Sequence, residues 1–312
     1  TILALGGLLS YILVESVKYS KSFSTGLLTA SGSIGLLFPP SLPVILYGVV
    51  AQISIKDMFL GGLIPGCIMV VVLSAYGIFT AVNKKVERIP FNPRDALFSI
   101  RESIWELLLP FIIFLGYFGG FTTIVETGGV AVLYSLIITM IVHRDITVKK
   151  IPDLMLKCMP IIGGVLVILA LSRGLSYYIV DAEIPMNLSM WVKDHIHSRV
   201  LFLLLLNLAL LVTGCLMDIF SAIMVVVPLI IPLGEVFGIH PVHLGIIFLA
   251  NLELGYLTPP VGLNLFLASY RFEESLSTIY RYTLPFLLVL VISVIIITYV
   301  PWFSTGLLEI LK

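Results

Sequence analysis

The sequence predicts an all-α integral membrane protein, built as an inverted repeat with discontinuous helices and re-entrant hairpins. Three observations carry this. Of the 312 residues 59% are hydrophobic and 12% charged, with a mean hydropathy of +1.12, whereas soluble chains carry roughly twice that charge. Apolar runs of about 20 residues, the length a bilayer core asks of a helix, recur along the chain. The pattern G-x-L-x-P-P occurs twice, as Gly35-Leu-Leu-Phe-Pro39-Pro40 and Gly255-Tyr-Leu-Thr-Pro259-Pro260, each time inside an apolar stretch longer than a bilayer needs.

In chain order the runs fall at 1–16, 22–50, 58–82, 104–121, 128–142, 158–180, 200–213, 219–232, 243–270 and 283–303. The first starts without Met in mid-run, so Thr1 is expected to be a cut end. The runs at 200–213 and 219–232 are expected to be too short to cross alone. Separated by Gly214-Cys-Leu-Met-Asp218, they read as a re-entrant hairpin with its tip inside the membrane. Net charge is zero, which gives no basic excess for nucleic acid. Cys67, Cys158 and Cys215 match neither a disulfide framework nor a metal motif. His143, His195, His197, His240 and His243 are expected in solvated loops or at span edges and show no zinc-site spacing.

The polar loops set the orientation. With the basic loop from Lys84 to Arg101 in the cytoplasm, alternation places Lys18, Lys21, Lys84, Lys85, Arg88, Arg94, Arg101, Arg144, Lys149, Lys150, Lys157, Arg271 and Arg281 inside. Only Lys56, Lys193, Arg199 and Lys312 fall outside, the asymmetry of the positive-inside rule. Arg173 lies within a span, close enough to its outer end at Val180 to snorkel.

A Pro-Pro pair in a helix interior removes two donors and clashes with the preceding turn, so the helix unwinds and leaves carbonyls unpaired. In a bilayer this is tolerated facing protein or a wet cavity. By the loop count residue 22 starts inside and residue 243 outside, so the broken helices run antiparallel, the signature of an inverted-topology repeat. The expected organisation is 1–82 as the end of the first repeat (a returning hairpin arm, the broken helix 22–50 and one span), 83–103 as a cytoplasmic loop, and 104–312 as the second repeat, with hairpin 200–232, broken helix 243–270 and a C-terminal span. The first hairpin's other arm is expected upstream of Thr1. Paired broken helices point to a midplane transport site, because half-helix N-termini attract anions and unwound carbonyls take cations.

Four stretches in order, LLTASGSIGLLFPPSLPVILYG (Leu27 to Gly48), GGFTTIVETGGVAV (Gly119 to Val132), GCLMDIFSAIMVVVPLIIP (Gly214 to Pro232) and LELGYLTPPVGLNLF (Leu252 to Phe266), resemble the large, DctM-type membrane subunit of tripartite ATP-independent periplasmic (TRAP) transporters. The resemblance implies a sodium-coupled importer with an inverted-repeat ion-transporter fold of the elevator type in the bacterial inner membrane. It implies two partners, a small membrane subunit and a periplasmic substrate-binding protein. The substrates it implies are small organic acids: C4-dicarboxylates, sialic acid or other sugar acids. It implies no cofactor beyond sodium as coupling ion. Two departures stand out. The family's first hairpin tip precedes Thr1, which leaves one sodium site incomplete, and the family's F-T-P-T-E-A reads Phe121-Thr-Thr-Ile-Val-Glu126-Thr here.

Sodium wants oxygen, and carbonyls freed at a helix break can replace its hydration shell. One site is expected from the tip Gly214 to Asp218 and the break Gly255 to Asn264, with Gly214, Gly255, Thr258 and Val261 contributing. Thr258 is the side-chain ligand or bonds back to its own helix. The other site would use Ser31, Gly32, Ser33 and Gly35, small residues that also allow close helix approach. Asp218 is a ligand or, as favoured here, holds the tip by accepting backbone donors. Glu253 binds a cation, relays a proton or, as favoured, pairs structurally. Pro39, Pro40, Ser41, Glu253, Pro259, Pro260 and Asn264 are candidates for substrate contact or gating, and Asn264 and Asn251 are equally candidates for substrate contact or for capping the half-helices.

Three other classes compete. A channel would need a ring-forming filter, and none is visible. An intramembrane enzyme would need a nucleophile or an aspartate pair within the spans; Asp218 is the one clear mid-membrane aspartate. A stand-alone ion-coupled carboxylate transporter of the same broad fold, or a proton-coupled variant, is separated from the tripartite reading only by the family stretches.

Overall fold

The computed structural model describes residues 2–83 and 92–311, and these form helices joined by short connections. They are α1 (Ile2–Tyr11), α2 (Lys21–Ala30), α3 (Leu42–Val50), α4 (Ile55–Asn83), α5 (Pro93–Glu102), α6 (Ile104–Phe118), α7 (Ile124–Ile137), α8 (Ile151–Asp181), α9 (Ile184–His195), α10 (Arg199–Leu216), α11 (Ile219–Val236), α12 (Pro241–Gly255), α13 (Leu263–Phe272), α14 (Leu276–Tyr299) and α15 (Trp302–Ile310). Six described segments are long and apolar enough to cross a bilayer, or seven if the bent pair formed by 21–37 and 42–50 counts as one span.

Both predicted breaks are present. The stretch 22–50 divides into α2, a single 3-10 turn at Ile34–Leu37, and α3, with a bend of 43°. The stretch 243–270 divides into α12 and α13, and the chain between them, 256–262, is not helical. The Pro39–Pro40 and Pro259–Pro260 peptide bonds are both cis.

Other expectations need correction. The arms read as 200–213 and 219–232 are α10 and α11, 18 residues each, about 27 Å at 1.5 Å per residue. Length therefore does not prevent either from crossing. The α10 helix, capped at its start by Ser198, runs on through Thr213, Gly214 and Cys215, and Thr213 satisfies its hydroxyl by bonding back to Ala209 O (2.9 Å). The α11 helix accommodates Pro228 and Pro232. Two crossings or one dip and return bring the chain back to the same side, so the loop count survives.

The loop 181–199 contains α9, which packs on α11 through Pro185, Ser189 and Val192. Of the loop 84–101, Lys84, Lys85 and Arg88 lie outside the described residues. The rest is largely α5, capped by Asn92, whose side chain accepts from Arg94 N, and started by Pro93. His243 is no edge residue: it is fully buried in α12, its ring bonded to Ser304 Oγ (3.2 Å) and Thr298 O (3.1 Å).

Of the described residues, those within Thr1–Arg88 and Ile168–Lys312 form one compact unit and those within Ile89–Val167 another. These units cut across the expected repeat boundaries, because a repeat is defined by matching elements and a unit by packing.

The larger unit is organised around α12, buried at every position from Val242 to Gly255. Helices α3, α4, α10, α11, α14 and α15 and the 3-10 turn surround it. Gly61 and Gly62 bring α4 close to Val242 and Ile246 of α12, and Gly26 brings α2 against the Tyr282 carbonyl of α14, where a Cβ would lie 2.2 Å away. In the smaller unit α6 and α7 pack antiparallel, tied by Tyr134 Oη donating to Trp105 O (2.8 Å) and by His143 Nε2 to Glu106 Oε1 (2.6 Å). Glu126, where the family stretch departs, completes a capping box: it accepts from Thr123 N (2.7 Å) while Thr123 Oγ1 accepts from Glu126 N (3.3 Å).

Candidate functional site: two helix breaks and a hairpin tip

The second break begins where α12 runs out. The last turn tightens, with Leu257 N donating to Leu254 O and Thr258 N to Gly255 O, both at 3.0 Å. The chain then passes Pro259 and Pro260, neither of which has an N–H to give. It re-enters helix at Gly262, whose φ of +53° is a left-handed value that glycine adopts without cost. Asn264 N reaches back to Tyr256 O (3.2 Å), closing the loop on itself.

The tip after α10 meets this break backbone to backbone. A Cβ on Gly255 would lie 2.3 Å from Gly214 C and 2.4 Å from its Cα, so the contact exists because both residues lack one. Val261 N donates to Cys215 O (3.2 Å), a second link between tip and break. Thus Gly214, Gly255, Thr258 and Val261 are brought into one neighbourhood.

Beside the carbonyls of the tip and the break stands the Thr258 hydroxyl. Thr258 Oγ1 donates to Leu254 O (2.8 Å), which uses the hydroxyl proton and leaves the lone pairs free to accept. Back-bonding and cation ligation are therefore compatible for Thr258. Carbonyls that accept one turn hydrogen bond keep a second lone pair. Carbonyl and hydroxyl oxygens of this kind suit a hard cation.

Asp218 is committed locally. Its Oδ2 accepts from Phe220 N (2.9 Å) and Ser221 N (3.1 Å), and its Oδ1 from Ser221 Oγ (2.6 Å). It caps α11 and fixes the tip, whose chain turns over only two residues between the helices.

The first break lies alongside. Asn264 Nδ2 donates to Ser33 Oγ (3.0 Å) and Thr29 O (3.3 Å), binding the start of α13 to the end of α2. Ser31 Oγ donates to Leu28 O (3.4 Å). A Cβ on Gly32 would meet Ile2 of α1 at 2.7 Å, whereas Gly35 has nothing within 4 Å of its Cβ position. Pro40, Pro259, Pro260 and Val261 are exposed and Pro39 half-buried. Ser41 is buried with an unpartnered hydroxyl, and Glu253 is fully buried with neither carboxylate oxygen partnered. Among the described residues, the structural pairing expected for Glu253 is thus not formed.

Asn251 lies inside α12, where it caps no helix end, and its Nδ2 donates to Ile247 O (2.8 Å). The same Nδ2 donates to Asn207 Oδ1 (2.6 Å), which also accepts from Thr298 Oγ1 (3.1 Å). This tie between α10, α12 and α14 is missed by the sequence reading, although an asparagine in the run LLLLNLALL was its visible signal.

Residues 2–303 match the family model described as tripartite ATP-independent periplasmic transporter, DctM component. The chain is 32% identical over 308 residues to the C4-dicarboxylate TRAP transporter large permease protein DctM of Pseudomonas aeruginosa, covering 98% of this chain and 72% of that one. It is 30% identical to the sialic acid TRAP transporter large permease protein SiaM of Vibrio cholerae (95% and 70% covered). It is 32% identical to the isethionate TRAP transporter permease protein DctMQ of Oleidesulfovibrio alaskensis (96% and 48%). Matched over nearly its whole length, with its apolar helices broken at the family's own stretches, the chain belongs to the DctM component family of TRAP transporters, multi-pass proteins of the bacterial inner membrane.

Proposed function

We propose that this chain carries the ion and substrate pathway of a sodium-coupled importer of small organic acids, handed over by a periplasmic binding protein and translocated together with a small membrane subunit. C4-dicarboxylates, sialic acid and other sugar acids are the substrate class, in keeping with the names of its relatives. The DctMQ relative, only 48% covered by this chain, is a permease named for both components.

One observation supports the sodium assignment: the Gly214–Gly255 contact brings the main chain of the hairpin tip against the stretch where the helix is unwound, which also holds the Thr258 hydroxyl. Ser31, Gly32, Ser33 and Gly35 form part of a second site beside it. We read the two broken helices as an inverted repeat and transport as an elevator motion of the unit that holds both breaks. The tip of α10 and α11 touches a break that itself lies mid-span, which supports keeping the pair as a re-entrant hairpin despite its length.

Replacing Thr258 with Val keeps the volume and removes one oxygen. A hydrogen bond or charge-assisted contact contributes about 1 to 3 kcal/mol, so sodium should half-saturate uptake at a concentration roughly five- to a hundredfold higher. Unchanged sodium dependence in a normally folded Thr258→Val variant would remove Thr258 from the site.

A proton-coupled variant is the second reading, favoured by Glu253. A buried carboxyl without partners is a place where a proton can be taken up and released. Under this reading Glu253→Gln abolishes uptake driven by a pH gradient. Under the sodium reading sodium-driven uptake survives the substitution.

A further inference from the structure

The ends of α3 and α8 and the middle of α11 enclose a cavity of about 670 Å³. Leu46, Val50, Leu169 and Met224 give it a largely apolar wall. Arg173, Gln52 and Tyr177 also line it. Gln52 Nε2 donates to Val49 O (2.8 Å), which closes the end of α3 and fixes the amide. The Arg173 guanidinium lies 6.0 Å from the Tyr177 ring centre, one turn further along α8. Among the described residues no carboxylate pairs with Arg173.

A cation within a membrane span is costly and calls for an anion. A small carboxylate or a free phosphate would pair with Arg173 but leave the apolar wall uncovered. An apolar protein segment would cover the wall and leave Arg173 unpaired. A ligand that brings both an anion and a hydrocarbon chain meets both demands, and the bilayer supplies it. Guanidinium binds phosphate oxygens in a bidentate fork, and the cavity volume is in the range that holds a single small ligand, so it takes one chain.

We propose that this cavity binds an acidic phospholipid, its phosphate on Arg173 and one acyl chain along Leu46, Val50, Leu169 and Met224. The site depends neither on the sodium assignment nor on which leaflet this end of α8 faces.

The test is native mass spectrometry of the full-length permease in detergent, titrated with phosphatidylglycerol and, separately, with phosphatidylcholine. Phosphatidylglycerol should bind several-fold tighter. Arg173→Leu should weaken it by the same several-fold factor, to the phosphatidylcholine level, while Arg173→Lys keeps part of the preference. Ala170→Trp, which fills the wall and spares the cation, should weaken both lipids. Should Arg173→Leu not purify as a single species, Arg173→Gln is held to the same criterion. Unchanged phosphatidylglycerol binding in the Arg173 variant or in Ala170→Trp overturns the proposal. So does displacement of the lipid by an equal concentration of inorganic phosphate or succinate, which would make this a free-anion site.

Discussion

At Gly255 the residue type is decided by another backbone. A methyl there would press on Gly214 C and Cα, which belong to a neighbouring main chain and cannot rotate away as a side chain would. Gly255→Ala must push the α10 tip off the break, and overpacking of this kind costs about 1 to 3 kcal/mol. We expect the variant to unfold at lower temperature in detergent and to lose sodium-dependent thermal stabilisation, both measurable by a thermal-shift assay with and without sodium. An unaltered sodium response would mean that the tip contributes nothing to the ion site. Asp218 stands nearby as a contrast, since its carboxylate already accepts three hydrogen bonds within its own turn. The preference for a tip-holding role was legible from the residue itself: aspartate before a helix start is a cap by chemistry. Glu253 was not legible, because its pairing depends on what the surrounding helices offer, and among the described residues they offer no hydrogen bond.

Among the elements, α10 and α12 form the pair on which the site depends. The Asn207–Asn251 bond fastens them two turns along α10 and one turn along α12 from the Gly214–Gly255 contact, and Thr298 extends the tie to α14. Interhelical hydrogen bonds in membranes contribute roughly 0.6 to 2 kcal/mol. Asn251→Leu should therefore lower the thermal midpoint modestly, and Asn207→Leu combined with it should cost less than the sum of the two, as expected of residues that share one interaction. Strict additivity would show that the two amides act independently.

The breaks in both long stretches could be read from sequence because Pro-Pro disrupts a helix wherever it falls. Helices α5 and α9 could not, since both lie in polar segments where hydropathy is silent and the helix rests on a cap at Asn92 or on packing against α11. The ends of α10 and α11 were set too short for a related reason. Thr213 satisfies its hydroxyl within the helix, so polarity there does not end it. His243 was misplaced because it sits two residues after Pro241, at a helix start that looks like an edge until α15 brings Ser304 over it.

For the molecule as a whole, sidedness can be argued from contacts within the larger unit. Lys21 Nζ meets Glu274 Oε1 at 2.5 Å, so the start of α2 and the turn after α13 share a side. Tyr299 Oη donates to Val200 O (3.1 Å), so the end of α14 and the start of α10 share a side. The loop count assigns the first pair to the cytoplasm and the second to the periplasm, so these contacts agree with its alternation. The basic loops then give the absolute direction. In a cysteine-free background, Asp194→Cys should react with an impermeant maleimide in intact spheroplasts and Asp145→Cys should not. The reverse pattern would invert the orientation and with it the side from which each broken helix starts.

The proposed handover adds a requirement on the assembly. If substrate arrives bound to a periplasmic protein, the permease can keep weak affinity for the free acid, because the binding protein concentrates it at the membrane. The full-length permease reconstituted alone should then show no uptake of free organic acid above empty vesicles under an inward sodium gradient. Adding the small subunit and the loaded binding protein should restore it. Robust uptake by the permease alone would remove the need for handover and favour a stand-alone ion-coupled carboxylate transporter built on the same broken helices.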